Sequence, residues 1–223
     1  MTLQVLLAVL ASTFMHALWN FTARRVKGDL AVIWVGLCIA SVCMFPIAIL
    51  SGPIGPQFLE AWPFMAATGI IHAFYFATLA ICYRHGDISI VYPIARGTGV
   101  AGAALVAFFV LHEEISALGW VAFLAICLGT ALLGYSEHAS KGSIGTSLKA
   151  VLVGGIITAY SLVDKLGVGS AHPVVYIFAL FFISAVCLTP LVLLKHKKQL
   201  HKVFHGSIRY SVIIGLGSML TSL

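Results

Sequence analysis

The chain has 223 residues, of which 61% are hydrophobic and 9% are charged, and its mean hydropathy is +1.05. This composition excludes a soluble globular domain and is typical of a polytopic helical membrane protein. The formal net charge is +6, but the basic residues cluster in the connections between apolar runs. The charge therefore indicates membrane topology, and nucleic acid is not an expected partner.

The apolar runs predict an all-α fold, a bundle of transmembrane helices with seven full spans and part of an eighth. His16, Trp19 and Asn20 lie inside the first run, which favours a retained span over a cleaved signal peptide. The predicted spans cover residues 3–23, 30–50, 63–82, 88–111, 116–135, 148–166 and 172–194, and then run from 210 to the end.

The basic residues are distributed unevenly between the two sides of the predicted bundle. One set of alternating connections carries most of them, whereas the opposite set carries only Lys165. Because lysine and arginine accumulate in cytoplasmic connections, we expect the N-terminus outside and a multi-pass location in the cell (plasma or inner) membrane. The basic residues of the predicted cytoplasmic side are Arg24, Arg25, Lys27, Arg84, Lys141, Lys149, Lys195, Lys197, Lys198, Lys202 and Arg209.

The chain contains an internal repeat. Residues 41–50 match residues 185–194, with valine, cysteine, proline and leucine in register, and Trp19-Asn20 pairs with Tyr160-Ser161 upstream.

The repeat predicts two units, a five-helix repeat over 1–140 and a partial second repeat over 141–223. An odd number of spans in the first unit makes the second enter the membrane in the opposite sense, the inverted plan of many secondary transporters. We therefore expect a chain that ends after about 7.5 of ten spans, either as a fragment or as a natural truncation.

Residues 88–111 carry a single formal charge, Arg96, which lies about 12 Å inside the span at 1.5 Å per helical residue. A guanidinium at that depth costs about 3 kcal/mol, so we expect a partner or a water-filled cavity beside it. Tyr92, Arg96 and Gly99 share one helical face that suits such a cavity. The alternative is that Arg96 reaches the headgroups and Gly99 only packs on a neighbour.

Polar side chains also recur at helical spacing in the first, third and sixth spans, and these faces predict one polar pocket near the midplane. Alternatively they cross-link helices, at about 0.6 kcal/mol for each contact. His16 and His72 suit a proton-coupled cycle or, equally, neutral hydrogen bonding. Asp164 and Lys165 predict an interfacial ion pair, with ion coupling by Asp164 as the lesser alternative. The striped residues are Thr13, His16, Asn20 and Arg24; Thr68, His72 and Tyr75; and Gly154, Thr158, Ser161 and Lys165.

The sequence shows no pattern for catalysis or for metal binding. Its five cysteines form no CxxC pair, and His112-Glu113-Glu114 is not an HExxH motif. No catalytic residue, metal ligand or cofactor is predicted, and we do not expect an enzyme.

Four segments together resemble the EamA-type branch of the drug/metabolite transporter superfamily. They are HALWN at 16–20, Arg24-Arg25, GDISIVYPIARG at 86–97 and LHEEIS at 111–116. The resemblance implies two five-helix repeats, ten spans in all, and the import or export of small metabolites or amino acids driven by gradients rather than ATP.

These observations predict a secondary transporter that moves a small polar metabolite, amino-acid-like or bearing a carboxylate, by alternating access. The partners that follow are a small-molecule substrate, the lipid bilayer, a coupling proton or ion, and a second copy or partner subunit. The alternative is a non-transporting truncated paralogue or partner subunit of a membrane complex. The predicted substrate-binding residues are Arg96, Tyr92, His72, Tyr75, Trp19, Asn20 and His16.

Overall fold

The computed structural model describes residues 3–51, 56–141 and 144–222, and this part of the chain is helical without any strand. The all-α prediction is therefore confirmed. A 3₁₀ turn follows α6 at Val168–Ser170, and a π-helical turn joins α8 to α9 at Val203–Ser207. The helices are α1 (Leu3–Arg25), α2 (Leu30–Ser51), α3 (Pro56–His85), α4 (Ile88–Phe109), α5 (Ala117–Lys141), α6 (Ile144–Gly167), α7 (Pro173–Lys195), α8 (Lys197–Lys202) and α9 (Ile208–Ser222).

Eight helical segments of the described chain are long and apolar enough to cross a membrane. Seven of them overlap the predicted full spans. The eighth is longer than predicted, because helical structure begins at Lys197 rather than near residue 210 and continues through α8 and α9 for 26 residues. Lysine and arginine are good helix formers, so the basic cluster marks one end of this span without interrupting the helix.

Helices α2 and α3 form the centre of the bundle, and half of the most apolar stretch of each is buried. Helix α2 packs against α7 and α9, while α3 packs against α6 and α7. Helix α5 lies at the periphery beside α4, and none of its most apolar stretch is buried. The central helices are buried on more than one side, and the peripheral helix is not. Their apolar composition alone does not show this difference.

The contacts among six of the helices follow a two-fold pattern. Exchanging α1, α2 and α3 with α6, α7 and α9, in that order, maps the α1–α9 contact onto α6–α3 and the α2–α9 contact onto α7–α3. The α2–α7 contact maps onto itself. Helices α4 and α5 have no counterpart within the described chain, and α4 packs most extensively on α6.

Small residues bring α4 and α6 close together. A Cβ added at Gly99 would lie 2.6 Å from Cγ2 of Ile157, and one added at Gly154 would lie 2.5 Å from Cβ of Thr98. The Thr158 hydroxyl donates to the Gly99 carbonyl oxygen at 3.3 Å. Close approach through small residues is the usual way for membrane helices to pack. Gly99 therefore packs against α6, which is the alternative interpretation of this residue.

A tight turn joins α1 to α2 and lies against α3. Gly28 adopts a left-handed conformation with φ of 61°, and a Cβ there would lie 3.0 Å from Cα of Ala80. Asp29 then caps α2 by accepting from the Ala31 amide at 2.9 Å. Since only glycine combines this backbone with so close a neighbour, the turn sets where α1 passes α3.

Candidate functional site

A cavity of about 470 Å³ lies within the helix bundle. It extends from Arg96, inside α4, to Val168 and Pro173, which flank the connection between α6 and α7. Its volume lies within the range of about 300–1,000 Å³ that is typical of small-molecule sites. Its lining comes from α1, α3, α4, α6, the α6–α7 connection, α7 and α9, and comprises His16, Trp19, His72, Tyr75, Phe76, Arg96, Tyr160, Asp164, Val168, Pro173, Tyr176, Ile177, Leu180, Phe181, Ser218, Thr221 and Ser222.

Arg96 lines this cavity and contacts α1 across it. Its guanidinium donates to the imidazole of His16. It lies 5.8 Å from the ring centroid of Tyr92, and Tyr75 and Tyr160 line the same cavity. The arginine thus has both the partner and the cavity that a charge at this depth requires.

Aromatic rings of α3 and α6 form another part of the wall. The imidazole of His72 lies 4.1 Å from the ring centroid of Tyr160 and 6.1 Å from that of Tyr75. Nδ1 of His72 is 2.9 Å from the carbonyl oxygen and 3.0 Å from the hydroxyl of Thr68, one turn earlier on α3. These contacts at Nδ1 hold the imidazole in place, so its ring packs against the two tyrosines.

Trp19 closes the cavity on the α1 side. Its indole is 4% exposed and packs edge-on against His16 at 5.3 Å and against Phe76 at 6.4 Å. Within the described part of the chain the indole Nε1–H has no hydrogen-bond partner. A buried donor without a partner is unfavourable, so the indole N–H is a group that an acceptor could stabilise.

Asp164 and Lys165 do not form the ion pair that their adjacency suggested. Lys165 pairs with Glu113 in the connection between α4 and α5, whereas Asp164 lines the cavity and accepts from the Tyr176 hydroxyl at 3.0 Å. Consecutive helical residues point about 100° apart at 3.6 residues per turn, so they reach different neighbours. The predicted Asp164–Lys165 pair was therefore wrong.

Five of the seven predicted binding residues line the cavity together, and Asn20 and Tyr92 do not. The buried Asn20 donates to the His16 carbonyl oxygen at 2.9 Å and accepts from the Tyr83 hydroxyl at 2.9 Å. Tyr92 lies behind the lining, with its ring 6.4 Å from that of His16. Asn20 thus matches the cross-linking alternative for polar residues, and Tyr92 supports Arg96 from outside the cavity.

Sequence reasoning missed two tyrosines and gave Asp164 only a minor role. Tyr160 had a usable signal, since the internal repeat pairs it with Trp19. The sequence carried no signal for Tyr176, because its contact with Asp164 depends on α7 lying beside the end of α6. The remaining lining residues that the sequence did not single out are Phe76, Val168, Pro173, Ile177, Leu180, Phe181, Ser218, Thr221 and Ser222.

The threonines of the polar stripes bond mainly to backbone. Thr13 is exposed and donates to the Val9 carbonyl oxygen at 2.8 Å, so it takes no part in the cavity. Thr158 donates within α6 and across to α4. Thr68 holds His72. Only Thr158 therefore cross-links two helices, as the alternative interpretation expects, whereas Thr13 and Thr68 bond within their own helices.

The cavity combines one guanidinium, one carboxylate and two imidazoles with a largely apolar wall. Such a surface can bind an amphipathic small molecule through its charged groups and bury the remainder. Across the described residues, no group of three or more His, Cys, Asp or Glu side chains is placed to hold a metal ion. No family model matches the chain. No curated protein matches it either.

Proposed function

We propose that this protein is a secondary transporter of a small metabolite that carries a carboxylate, and that Arg96 binds this carboxylate. The single observation that carries the proposal is that Arg96 lines a cavity of about 470 Å³ between apolar helices. An arginine can hold a carboxylate through two parallel hydrogen bonds, and its charge persists at any physiological pH.

The helix contacts favour an alternating-access mechanism. Membrane carriers commonly place the ligand between two inverted structural repeats and rock one against the other. Here the cavity is lined by α1, α3 and α4 from one predicted repeat and by α6, α7 and α9 from the other. The contacts of α1, α2 and α3 with α6, α7 and α9 follow a two-fold pattern. The resemblance to EamA-type permeases points to the same mechanism.

Counterflow in proteoliposomes that contain the 223-residue chain tests this function. Vesicles are loaded with an unlabelled carboxylate or amino acid, and uptake of the same labelled compound is followed across a panel of monocarboxylates, dicarboxylates and amino acids. We expect at least one compound to accumulate, with Arg96→Ala abolishing the accumulation. Arg209→Ala is the matched control, because Arg209 is exposed on α9 and bonds to Tyr210.

Counterflow that is equal in the wild type and Arg96→Ala would remove Arg96 from the mechanism. No counterflow by the chain alone, recovered on adding a membrane partner, would favour the alternative of a subunit within a membrane complex. A coupling proton or ion is tested in the same vesicles by imposing a pH or sodium gradient before the labelled compound is added.

The proposed orientation places the basic end of the eighth span in the cytoplasm. In a cysteine-free background, Lys198→Cys should react with a membrane-impermeant thiol reagent only after cells are permeabilised. Glu114→Cys, in the exposed connection between α4 and α5, should react in intact cells. The reverse pattern would overturn the orientation.

A further inference from the structure

We infer that the segment between α7 and α9 binds the headgroup of an anionic phospholipid, an interaction that is independent of the proposed transport function. The site consists of four exposed basic side chains within eight residues, together with the exposed apolar side chains that adjoin them. We call the four basic residues the lysine cluster, and they are Lys195, Lys197, Lys198 and Lys202.

The lysine cluster has no carboxylate to neutralise it. Residues 166–223 contain neither aspartate nor glutamate. Among the described residues, none of the four ammonium groups lies within ion-pair distance of an acidic side chain, and the pair of Lys165 with Glu113 lies at the opposite end of α7. Like charges that are crowded together repel one another, so an anionic partner stabilises this segment.

Exposed apolar side chains adjoin the lysines. Leu193 and Leu194, in the last turn of α7, are 48% and 82% exposed and directly precede Lys195. Phe204, two residues after Lys202, is 60% exposed. Because α7 is long and apolar enough to cross a membrane, the change from leucine to lysine marks the level where acyl chains meet headgroups. A phospholipid presents groups in the same order, with acyl chains for the apolar side chains and a phosphate for the ammonium groups.

Packing against the bundle holds the lysine cluster in place. The backbone departs from helical geometry at His196, with φ of −123° and ψ of 17°, and α8 then packs on α2 and α7. Val203 is 1% exposed, and the Ser211 hydroxyl donates to the Val32 carbonyl oxygen at 2.9 Å. The helix that carries the lysines is therefore docked along one side, which reduces the entropy lost when a headgroup binds to the other side.

Charge is densest at the lysine cluster, although this end of the bundle carries other basic residues. The contact between the start of α9 and the start of α2 places the α1–α2 turn at the same end. Arg25 and Lys27 are exposed in that turn, but Asp29 accompanies them. Clusters of about four to eight basic residues at the end of a membrane helix bind anionic headgroups, and only the lysine cluster combines this number with the absence of an acid.

Lipid binding by the purified full chain tests the inference. Native mass spectrometry is performed on protein in detergent with an equimolar mixture of phosphatidylglycerol and phosphatidylcholine that have identical acyl chains. Each lysine near an anionic surface strengthens binding by a factor of about five, so we expect complexes with one phosphatidylglycerol to outnumber those with one phosphatidylcholine by at least about tenfold. Glycerol 3-phosphate in about 100-fold excess should not displace the lipid, because it has no acyl chains to bury.

Two double variants remove the same charge from different places at this end. Lys197→Gln with Lys198→Gln should reduce the preference for phosphatidylglycerol by at least about fivefold. Arg25→Gln with Lys27→Gln is the matched control and should change the preference by less than about twofold. Replacing all four residues of the lysine cluster by glutamine should abolish the preference, whereas replacing all four by arginine should retain it, because arginine keeps the charge.

Thermal unfolding in detergent shows that each variant is folded and gives a second readout. A ligand that binds the native state raises the Tm, so phosphatidylglycerol should stabilise wild-type protein more than phosphatidylcholine does. The difference should disappear in about 1 M salt, where the Debye length falls to about 3 Å.

Equal binding of the two lipids by wild-type protein overturns the inference. Equal losses in the two double variants also overturn it, because the preference then belongs to the overall charge of this end. Displacement by glycerol 3-phosphate identifies a site for a free phosphate ester in place of a lipid. A preference that survives neutralisation of all four lysines in a folded protein places the lipid elsewhere. These results do not depend on Arg96, so failure here leaves the proposed transport function unaffected.

Discussion

The guanidinium of Arg96 on α4 donates to the imidazole of His16 on α1, 80 residues earlier in the chain. Arginine has no acceptor, so the nitrogen of His16 that faces it must be unprotonated. This contact joins the first helix to the charged end of the cavity. It also ties the position of the guanidinium to the presence of a neutral acceptor on α1.

His16→Ala should therefore destabilise the protein. The change removes an acceptor from a partly buried charged donor, and leaving such a donor unpaired typically costs about 1–3 kcal/mol. Thermal unfolding in detergent measures it. His16→Gln keeps an acceptor oxygen and should recover part of the loss, and His85→Ala, at the exposed end of α3, serves as control. A His16→Ala protein as stable as wild type would contradict the contact.

The α4–α6 interface predicts opposite outcomes for two adjacent glycines. A Cβ at Gly154 would lie 2.5 Å from Thr98, whereas one at Gly155 meets nothing within 4 Å. Gly154→Ala should cost about 1–3 kcal/mol through overpacking. Gly155→Ala should be neutral or stabilise by up to about 1 kcal/mol, because alanine favours the helix. Thermal unfolding of the two variants side by side checks the prediction, and equal effects would refute the packing.

The hydrogen bond between Tyr83 and Asn20 should contribute to the stability of the protein and should not affect its ligand specificity. Tyr83 is fully buried, and Tyr83→Phe leaves the Asn20 acceptor unpaired in the core, at a cost of about 1–3 kcal/mol. Neither residue lines the cavity, so the relative affinities for different ligands should be unchanged. Tyr135→Phe, 73% exposed on α5, is the control. A changed ligand preference with unchanged stability would place Asn20 in the binding site.

The ion pair between Glu113 and Lys165 should couple only weakly. Both side chains are about half exposed, and such pairs contribute about 0.2–1 kcal/mol. A double-mutant cycle with Glu113→Gln and Lys165→Gln measures the coupling by thermal unfolding, and added salt should reduce it further. Glu114→Gln combined with Lys165→Gln is the control cycle. Coupling above about 2 kcal/mol would mean that the pair is shielded from solvent.

The helices could be predicted from the sequence because apolar length is a local property. The helix ends were less predictable where charged residues are also good helix formers. At Lys197 the basic cluster begins a helix, although its charge suggested a connection between two helices. The inverted five-helix repeats remain a prediction, which the two-fold contact pattern of α1–α3 with α6, α7 and α9 supports.

The site was predictable only where a residue is unusual for its surroundings. Arg96 is such a residue, and helical spacing brought His16, His72 and Tyr75 into the prediction. Tyr176 is an ordinary aromatic residue, and its role depends on which neighbouring helix it contacts. The partner of Lys165 is likewise set by tertiary packing, since adjacent residues on a helix face different neighbours.

We propose that the charge of Arg96 faces a water-accessible cavity and binds ligand there. In a cysteine-free background, the most direct measurement is chemical restoration of that charge in the Arg96→Cys variant. Aminoethyl methanethiosulfonate adds a cationic arm to the thiol, and methyl methanethiosulfonate adds a neutral group of similar reactivity. Val100→Cys, one turn along α4 and 54% exposed on the outside of the bundle, is the control for access.

The readout is counterflow of the labelled compound that wild-type protein transports best. We predict that Arg96→Cys is inactive and that the cationic arm alone restores part of the counterflow. The thiol of Arg96→Cys should react with a membrane-impermeant trimethylammonium reagent, whereas that of Val100→Cys should not. A thiol that stays unreactive, or equal restoration by the cationic and neutral groups, would contradict it.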